Sequence, residues 1–200
     1  MVARALARLD VGELAVLSFG EGAGPESGGR RVRTLHPLGV PFSDASGPGV
    51  VSRFTFDRDN TLADTPMVSL LEELEATLDE AAGGGGTCQH QQQLHQLVLV
   101  MSDGRFHEKE PLRRAVRRLA ERPGLLLAFI VLDDPRRSLL DLQTVSFAPQ
   151  PGGAAGPTFS RYLDTFPFPY YALVRELARL PAALADLLKQ FFELSAAGLA

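Results

Sequence analysis

Leu97-Val98-Leu99-Val100-Met101-Ser102-Asp103-Gly104-Arg105 is the stretch that decides the reading of this chain. Five apolar residues in a row read as a strand buried on both faces. They run directly into Ser-Asp-Gly, a polar turn. In open parallel α/β sheets, ligands bind just outside the carboxyl ends of the strands. A carboxylate at Asp103 is therefore placed either to meet a metal or polar ligand, or to cap the helix that follows. Residue chemistry alone leaves both readings open.

Working outward, Leu125 to Leu132 reads as a second fully buried strand ending at Asp133-Asp134-Pro135. A basic helix from about Glu110 to Glu121 lies between the two, with Leu112, Val116 and Leu119 facing inward. Upstream, Met67, Leu70, Leu71, Leu74 and Leu78 form one helical stripe, with Thr65-Pro66 as its start signal. Further upstream still, the residues from Val2 to Leu9 keep helical spacing and stop at Asp10-Val11-Gly12. Glu13 to Gly20 reads as a buried strand, Arg31 to Leu38 as an edge strand, and Phe42 to Val51 as a loop. Downstream, Pro169 to Val174 suits a last strand. Pro181 to Leu194 suits a closing helix whose stripe is Leu184, Leu187, Leu188, Phe191 and Phe192. This alternation implies an α/β fold, a three-layer sandwich with a mostly parallel sheet. The strands at Leu14–Phe19, Leu97–Met101 and Leu125–Leu132 are expected to run parallel in one sheet.

The 200 residues fit one domain, 1–200, with flexible inserts at about 21–31, 83–95 and 149–157. The net charge of -4 gives no general reason to expect nucleic-acid binding. Of the 20 basic residues 18 are arginine, and several cluster between Arg113 and Arg122. That cluster reads as a solvated helix face or, more sharply, as a basic docking surface. A single cysteine, Cys88, excludes an internal disulfide framework and is read as a bystander in the linker. No apolar run reaches the length of a membrane span. His36, His90, His95 and His107 lack zinc-like spacing. There is no phosphate loop of the Gly-x-x-x-x-Gly-Lys type and no Gly-x-Ser-x-Gly elbow, so neither nucleotide hydrolysis nor nucleophilic catalysis is supported. Thr61, after Asp59-Asn60, carries a hydroxyl that suits a hard metal or a local turn bond.

Several segments in this order resemble the carboxy-terminal domain of the midasin family. They are Leu9-Asp10-Val11-Gly12 through Ser18-Phe19-Gly20, Asp59 to Asp64, Ser102 to Glu110, Ser138 to Asp141, Tyr162 to Tyr171, and Leu180 to Leu194. Of these, Phe166-Pro167-Phe168-Pro169-Tyr170-Tyr171 and the closing helix are the most specific. The resemblance implies a von Willebrand factor A (Rossmann-like) sandwich with a metal-ion-dependent adhesion site. It implies a docking role in a nuclear AAA ATPase of large-ribosomal-subunit assembly, with ATP handled elsewhere in that ATPase. The partners implied are ubiquitin-like domains of pre-60S assembly factors on the pre-60S particle, with no direct nucleic-acid or membrane contact. Nucleolus and nucleoplasm are the implied location, and no catalysis by this chain is implied.

Residue by residue, the resemblance makes Thr61 and Asp103 ligands of a Mg²⁺ ion, with Asn60 and Arg105 beside them as partner contacts. The two ligands are expected on neighbouring loops at one sheet edge. The family's Asp-x-Ser-x-Ser loop has no counterpart here. Asp44-Ala45-Ser46-Gly47-Pro48 imitates it but lacks the final serine and follows the wrong element. Met1 falls partway along the helix that follows that loop in the family. The resemblance thus implies a sandwich lacking its first central strand, with Mg²⁺ held only when the loop is supplied. The strands at Leu14–Phe19 and Leu97–Met101 would then lie roughly 9–10 Å apart, about two strand spacings, without direct ladder bonds. Two other classes remain: a small Rossmann-like enzyme using Asp103, and a von Willebrand factor A adhesion or chelatase subunit.

Overall fold

The computed structural model describes residues 2–9, 12–20, 32–53, 67–83, 95–106, 109–148 and 156–198. They fall into two compact units, Met1–Gln92 and Gln93–Ala200.

The first unit holds α1 (Val2–Ala7), β1 (Val16–Phe19), β2 (Val32–His36), α2 (Ser46–Val51) and α3 (Met67–Gly83). β1 and β2 pair antiparallel as a two-stranded sheet, with Val16 opposite His36 and a bulge after Val16. α2 and α3 pack on β2. The stripe read from the sequence is the buried face of α3: Met67, Leu70, Leu71, Leu74 and Leu78 are all inside. The His36 ring is buried too, where Nε2 bonds the Val40 carbonyl oxygen at 2.8 Å and the ring stacks edge-on against Phe42.

The second unit is built on a three-stranded parallel sheet in the order β3-β4-β7. Its strands are β3 (Gln96–Ser102), β4 (Leu125–Leu132) and β7 (Tyr170–Val174). Between β3 and β4 runs α4 (Lys109–Ala120), which packs on β4. A hairpin of β5 (Gln143–Ala148) and β6 (Gly156–Arg161) precedes a 3-10 turn at Tyr162–Thr165, and α5 (Leu180–Ala196) packs on β7. β4 has neighbours on both sides and is buried from Leu125 through Val131, as its unbroken apolar run requires. Phe129 sits in an aromatic cluster with Phe106, Phe166 and Phe168, its ring centroid 4.6 Å from that of Phe168. α4 and α5 each carry proline in the first turn, where the missing N–H costs nothing.

The parallel pairing of the strands at Leu97 and Leu125 is as expected, with Gln96 opposite Leu125 and Ser102 opposite Val131. Four expectations need correction. β3 is not buried on both faces: Val100 is buried, Leu97 to Leu99 are half-buried and Met101 is exposed. Among the described residues β3 is an outer strand of its sheet, so an apolar run alone does not guarantee cover. Phe42 to Val51 is not all loop, because Ser46–Val51 makes a short helix through Pro48, closed by the Ser52 N–H on the Pro48 carbonyl. At the end of the stretch read as an insert, 149–157, Gly156 and Pro157 are strand residues that pair with Ala148 and Phe147 in the hairpin. Phe192 is exposed, and α5 buries only Leu184, Leu187 and Phe191.

Candidate ligand-docking edge of the parallel sheet

Asp103 follows the last residue of β3, at the carboxyl end of the parallel sheet. Its side chain is exposed. Oδ1 accepts the Arg105 amide at 3.2 Å and a longer bond from the Ser102 hydroxyl at 3.4 Å. Among the described residues the carboxylate bonds its own turn, at Ser102 and Arg105, and it faces solvent, where a ligand could reach it.

The loop under Asp103 is held from three sides. Gly104 has φ +71°, and a Cβ there would come within 3.1 Å of Leu139 Cδ1 and 3.3 Å of Val131 Cγ2. Only glycine satisfies both the dihedral angle and the space. The Arg105 guanidinium donates to the Arg137 carbonyl, tying this loop to the one after β4. Tyr162 reaches in from the 3-10 turn. Its buried hydroxyl accepts the Phe106 N–H at 2.7 Å and donates to the Gly104 carbonyl at 3.0 Å. Burial holds the Tyr162 phenol above its ordinary value, and the negative charge of Asp103 adds to the rise.

Lys109 anchors the tyrosine in turn. Its Nζ lies 3.4 Å from the centre of the Tyr162 ring and donates to the Tyr162 carbonyl and to Thr165 Oγ1. A cation at a helix start opposes the helix dipole. The ring face and two oxygen acceptors offset that here. Burial, then the nearby Arg113, keeps the Lys109 ammonium below its usual pKa. Sequence reasoning assigned no role to Tyr162 or Lys109. Their partners lie more than 50 residues away in sequence, so no local pattern signals the contact.

A second carboxylate ends β4. Asp133 is buried, its Oδ2 accepting the Ser138 hydroxyl at 2.6 Å and its Oδ1 the Leu139 amide at 2.9 Å. This carboxylate closes the 134–139 turn and has no ligand-facing oxygen.

Among the described residues no group of three or more His, Cys, Asp or Glu side chains is placed to hold a metal. Asp103 and Ser102 offer two neighbouring hard oxygens, short of the six or so that a Mg²⁺-type ion wants. Thr61 and Asn60 lie outside the described residues, as do His107, Cys88 and the Thr65 cap. Asp44 is engaged elsewhere, its carboxylate 2.8 Å from the Arg4 guanidinium.

No family model matches the chain. Midasin from Dictyostelium discoideum is 30% identical over 198 residues, which is 98% of this chain and 3% of that protein. This chain is similar to a short stretch of midasin. Midasin from Giardia intestinalis is 32% identical over 185 residues, covering 92% of this chain and 4% of that protein. The chain therefore spans only a few per cent of the length of the midasins it matches. A crystal structure of the conserved hypothetical protein BatB from Bacteroides thetaiotaomicron superposes with a TM-score of 0.50 at 12% identity, over 96% of this chain and 87% of that one. That likeness bears on fold alone, and it agrees with the α/β, von Willebrand factor A-type architecture expected of the midasin segment.

Proposed function

We propose that this chain is the substrate-docking module of a midasin-type, ribosome-assembly ATPase, gripping ubiquitin-like domains of pre-60S assembly factors at a metal-ion-dependent adhesion site. The observation that carries the reading is Asp103: an exposed carboxylate at the carboxyl end of a parallel strand, on a loop pinned by Tyr162 and Gly104, in a chain of midasin sequence. In this reading Asp103 and Thr61 are metal ligands, and Asn60 and Arg105 touch the partner. Asp103 and Thr61 would help hold a Mg²⁺ ion, whose positive charge would attract a partner carboxylate. In this reading the ion is held only when an Asp-x-Ser-x-Ser loop is supplied, as the midasin resemblance implies. The chain performs no catalysis; ATP is used by the parent ATPase, and the work is done in the nucleolus and nucleoplasm during large-subunit maturation and export.

The test is a titration of a purified ubiquitin-like domain in the presence of Mg²⁺, against this chain alone and against the chain joined to a strand ending in Asp-x-Ser-x-Ser. Binding by the joined form, lost with EDTA and in Asp103→Ala, is the expected result. Tight Mg²⁺-dependent binding by the 200-residue chain alone would overturn the account of the site.

A further inference from the structure

α4 carries five cations and one carboxylate in twelve residues, Lys-Glu-Pro-Leu-Arg-Arg-Ala-Val-Arg-Arg-Leu-Ala, within a chain whose net charge is -4. Leu112, Ala115, Val116 and Leu119 turn inward, which leaves the arginines on the outer face. Arg113 is fixed: one guanidinium nitrogen pairs with Glu110 and the other donates to the Thr165 carbonyl at 3.1 Å. Arg117 lies one turn further on and is exposed, and Arg114 and Arg118 continue the positive stripe round the helix.

This stripe borders a groove. Val116 and Ala120 of α4 form one wall, and Phe166, Pro167 and Pro169 form the other, with Arg113 and Arg117 along the rim. Its volume is about 230 Å³, room for one or two apolar side chains. Proline and alanine walls present little that must be desolvated, while the rim demands negative charge.

We propose that the groove between α4 and the Phe166–Pro169 segment docks an acidic peptide segment of a protein partner, one that carries an apolar anchor flanked by carboxylates. Charge complementarity selects the acidic chain, and the apolar walls select the anchor. Nucleic acid fits less well. Sequence-tolerant RNA and single-strand binding needs open aromatic faces for base stacking. Phe166 is instead packed against Phe106, Phe129, Phe168 and Tyr171. The surface is separate from Asp103 in chemistry, because it needs no metal.

The test uses the full chain in low salt with EDTA, so that failure of the metal-site reading leaves it untouched. A short fluorescent peptide of Asp and Glu around a central Leu-Phe pair is titrated by anisotropy, beside the same peptide with Ser-Ser at the centre and beside an oligouridylate of equal length. The Leu-Phe peptide should bind most tightly and weaken as salt rises. Arg114→Glu with Arg117→Glu, both exposed positions, should weaken it at least about ten-fold. Ala120→Leu, which fills the groove, should weaken the Leu-Phe peptide and leave the Ser-Ser control unchanged. Arg136→Glu with Arg175→Glu, exposed elsewhere, should change nothing, and thermal melts should report each variant folded. Four results would overturn the proposal: no peptide binding, equal binding of the Ser-Ser control, equal loss in the Arg136/Arg175 variant, or tighter binding of the oligouridylate.

Discussion

Asp103 and Asp133 leave the same parallel sheet at the same edge, one after β3 and the other after β4. Their sequences look alike, Val-Met-Ser-Asp-Gly and Val-Leu-Asp-Asp-Pro. Asp103 is exposed and, among the described residues, bonds only its own turn. Asp133 is buried, and both oxygens serve donors five and six residues on. Strand position explains part of this. Among the described residues β4 is the middle strand, so its end is enclosed by what surrounds it; β3 is an outer one. A buried carboxylate must be fully satisfied to be tolerated, which makes Asp133 a structural group. The exposed one has an oxygen to offer, which makes Asp103 the candidate for binding.

The largest expected effect is at the buried site. Asp133→Ala strips the acceptor from two buried donors and should lower stability by about 3 kcal/mol in urea unfolding. A loss under about 0.5 kcal/mol would mean that Asp133 is not the structural member of the pair.

Gly104→Ala should come next, at about 2 kcal/mol, because both the positive φ and the crowding by Leu139 and Val131 oppose a methyl group. It also separates the two carboxylates. Partner binding through Asp103 should suffer with stability here, whereas Asp133→Ala should act on stability first.

Tyr162→Phe removes the hydroxyl that joins Phe106 N–H to the Gly104 carbonyl, and should cost about 1–2 kcal/mol. The phenol adds a pH signature. Its folded pKa is raised above the ordinary 10.0, so the folded state keeps the proton where the unfolded chain has lost it. Stability from this group is therefore present below pH 10 and is lost as pH rises through the folded value. The phenolate absorbance missing from Tyr162→Phe should titrate above 10. Titration at or below that value would remove the buried clamp from the account of the loop.

The smallest expected change in stability is for Asp103→Ala, within about 0.5 kcal/mol of the parent chain. An unfolding midpoint shifted as far as in Asp133→Ala would erase the contrast between the two.

Much of the frame was legible from local pattern. The stripe of Met67, Leu70, Leu71, Leu74 and Leu78 is the buried face of α3, and the Leu125 run is the central strand, because periodicity and unbroken apolar length follow directly from burial geometry. The hairpin of β5 and β6 was not legible. Val145 and Phe159 face each other across it and are exposed, so burial left no clean alternation to read. The site was half legible. Asp103 stood out because a polar turn ends an apolar run, while Tyr162 and Lys109 gave no sign.

The sequence by itself determined the α/β class, the midasin resemblance, the basic face of α4 and the place of Asp103 at a strand end. The resemblance rests on residue identities alone, and the other three depend on neighbours a few residues away, where chain geometry leaves little choice. Only the tertiary structure decided that Asp133 is enclosed and Asp103 open, that β1 pairs with β2, and that Tyr162 and Lys109 hold the Gly104–Phe106 loop. Those outcomes depend on which strand lies in the middle of a sheet and on contacts spanning more than 50 residues, such as Tyr162 with Gly104. Nothing in local residue order specifies such contacts, because the burial and hydrogen bonds that select them exist only once the chain has closed on itself.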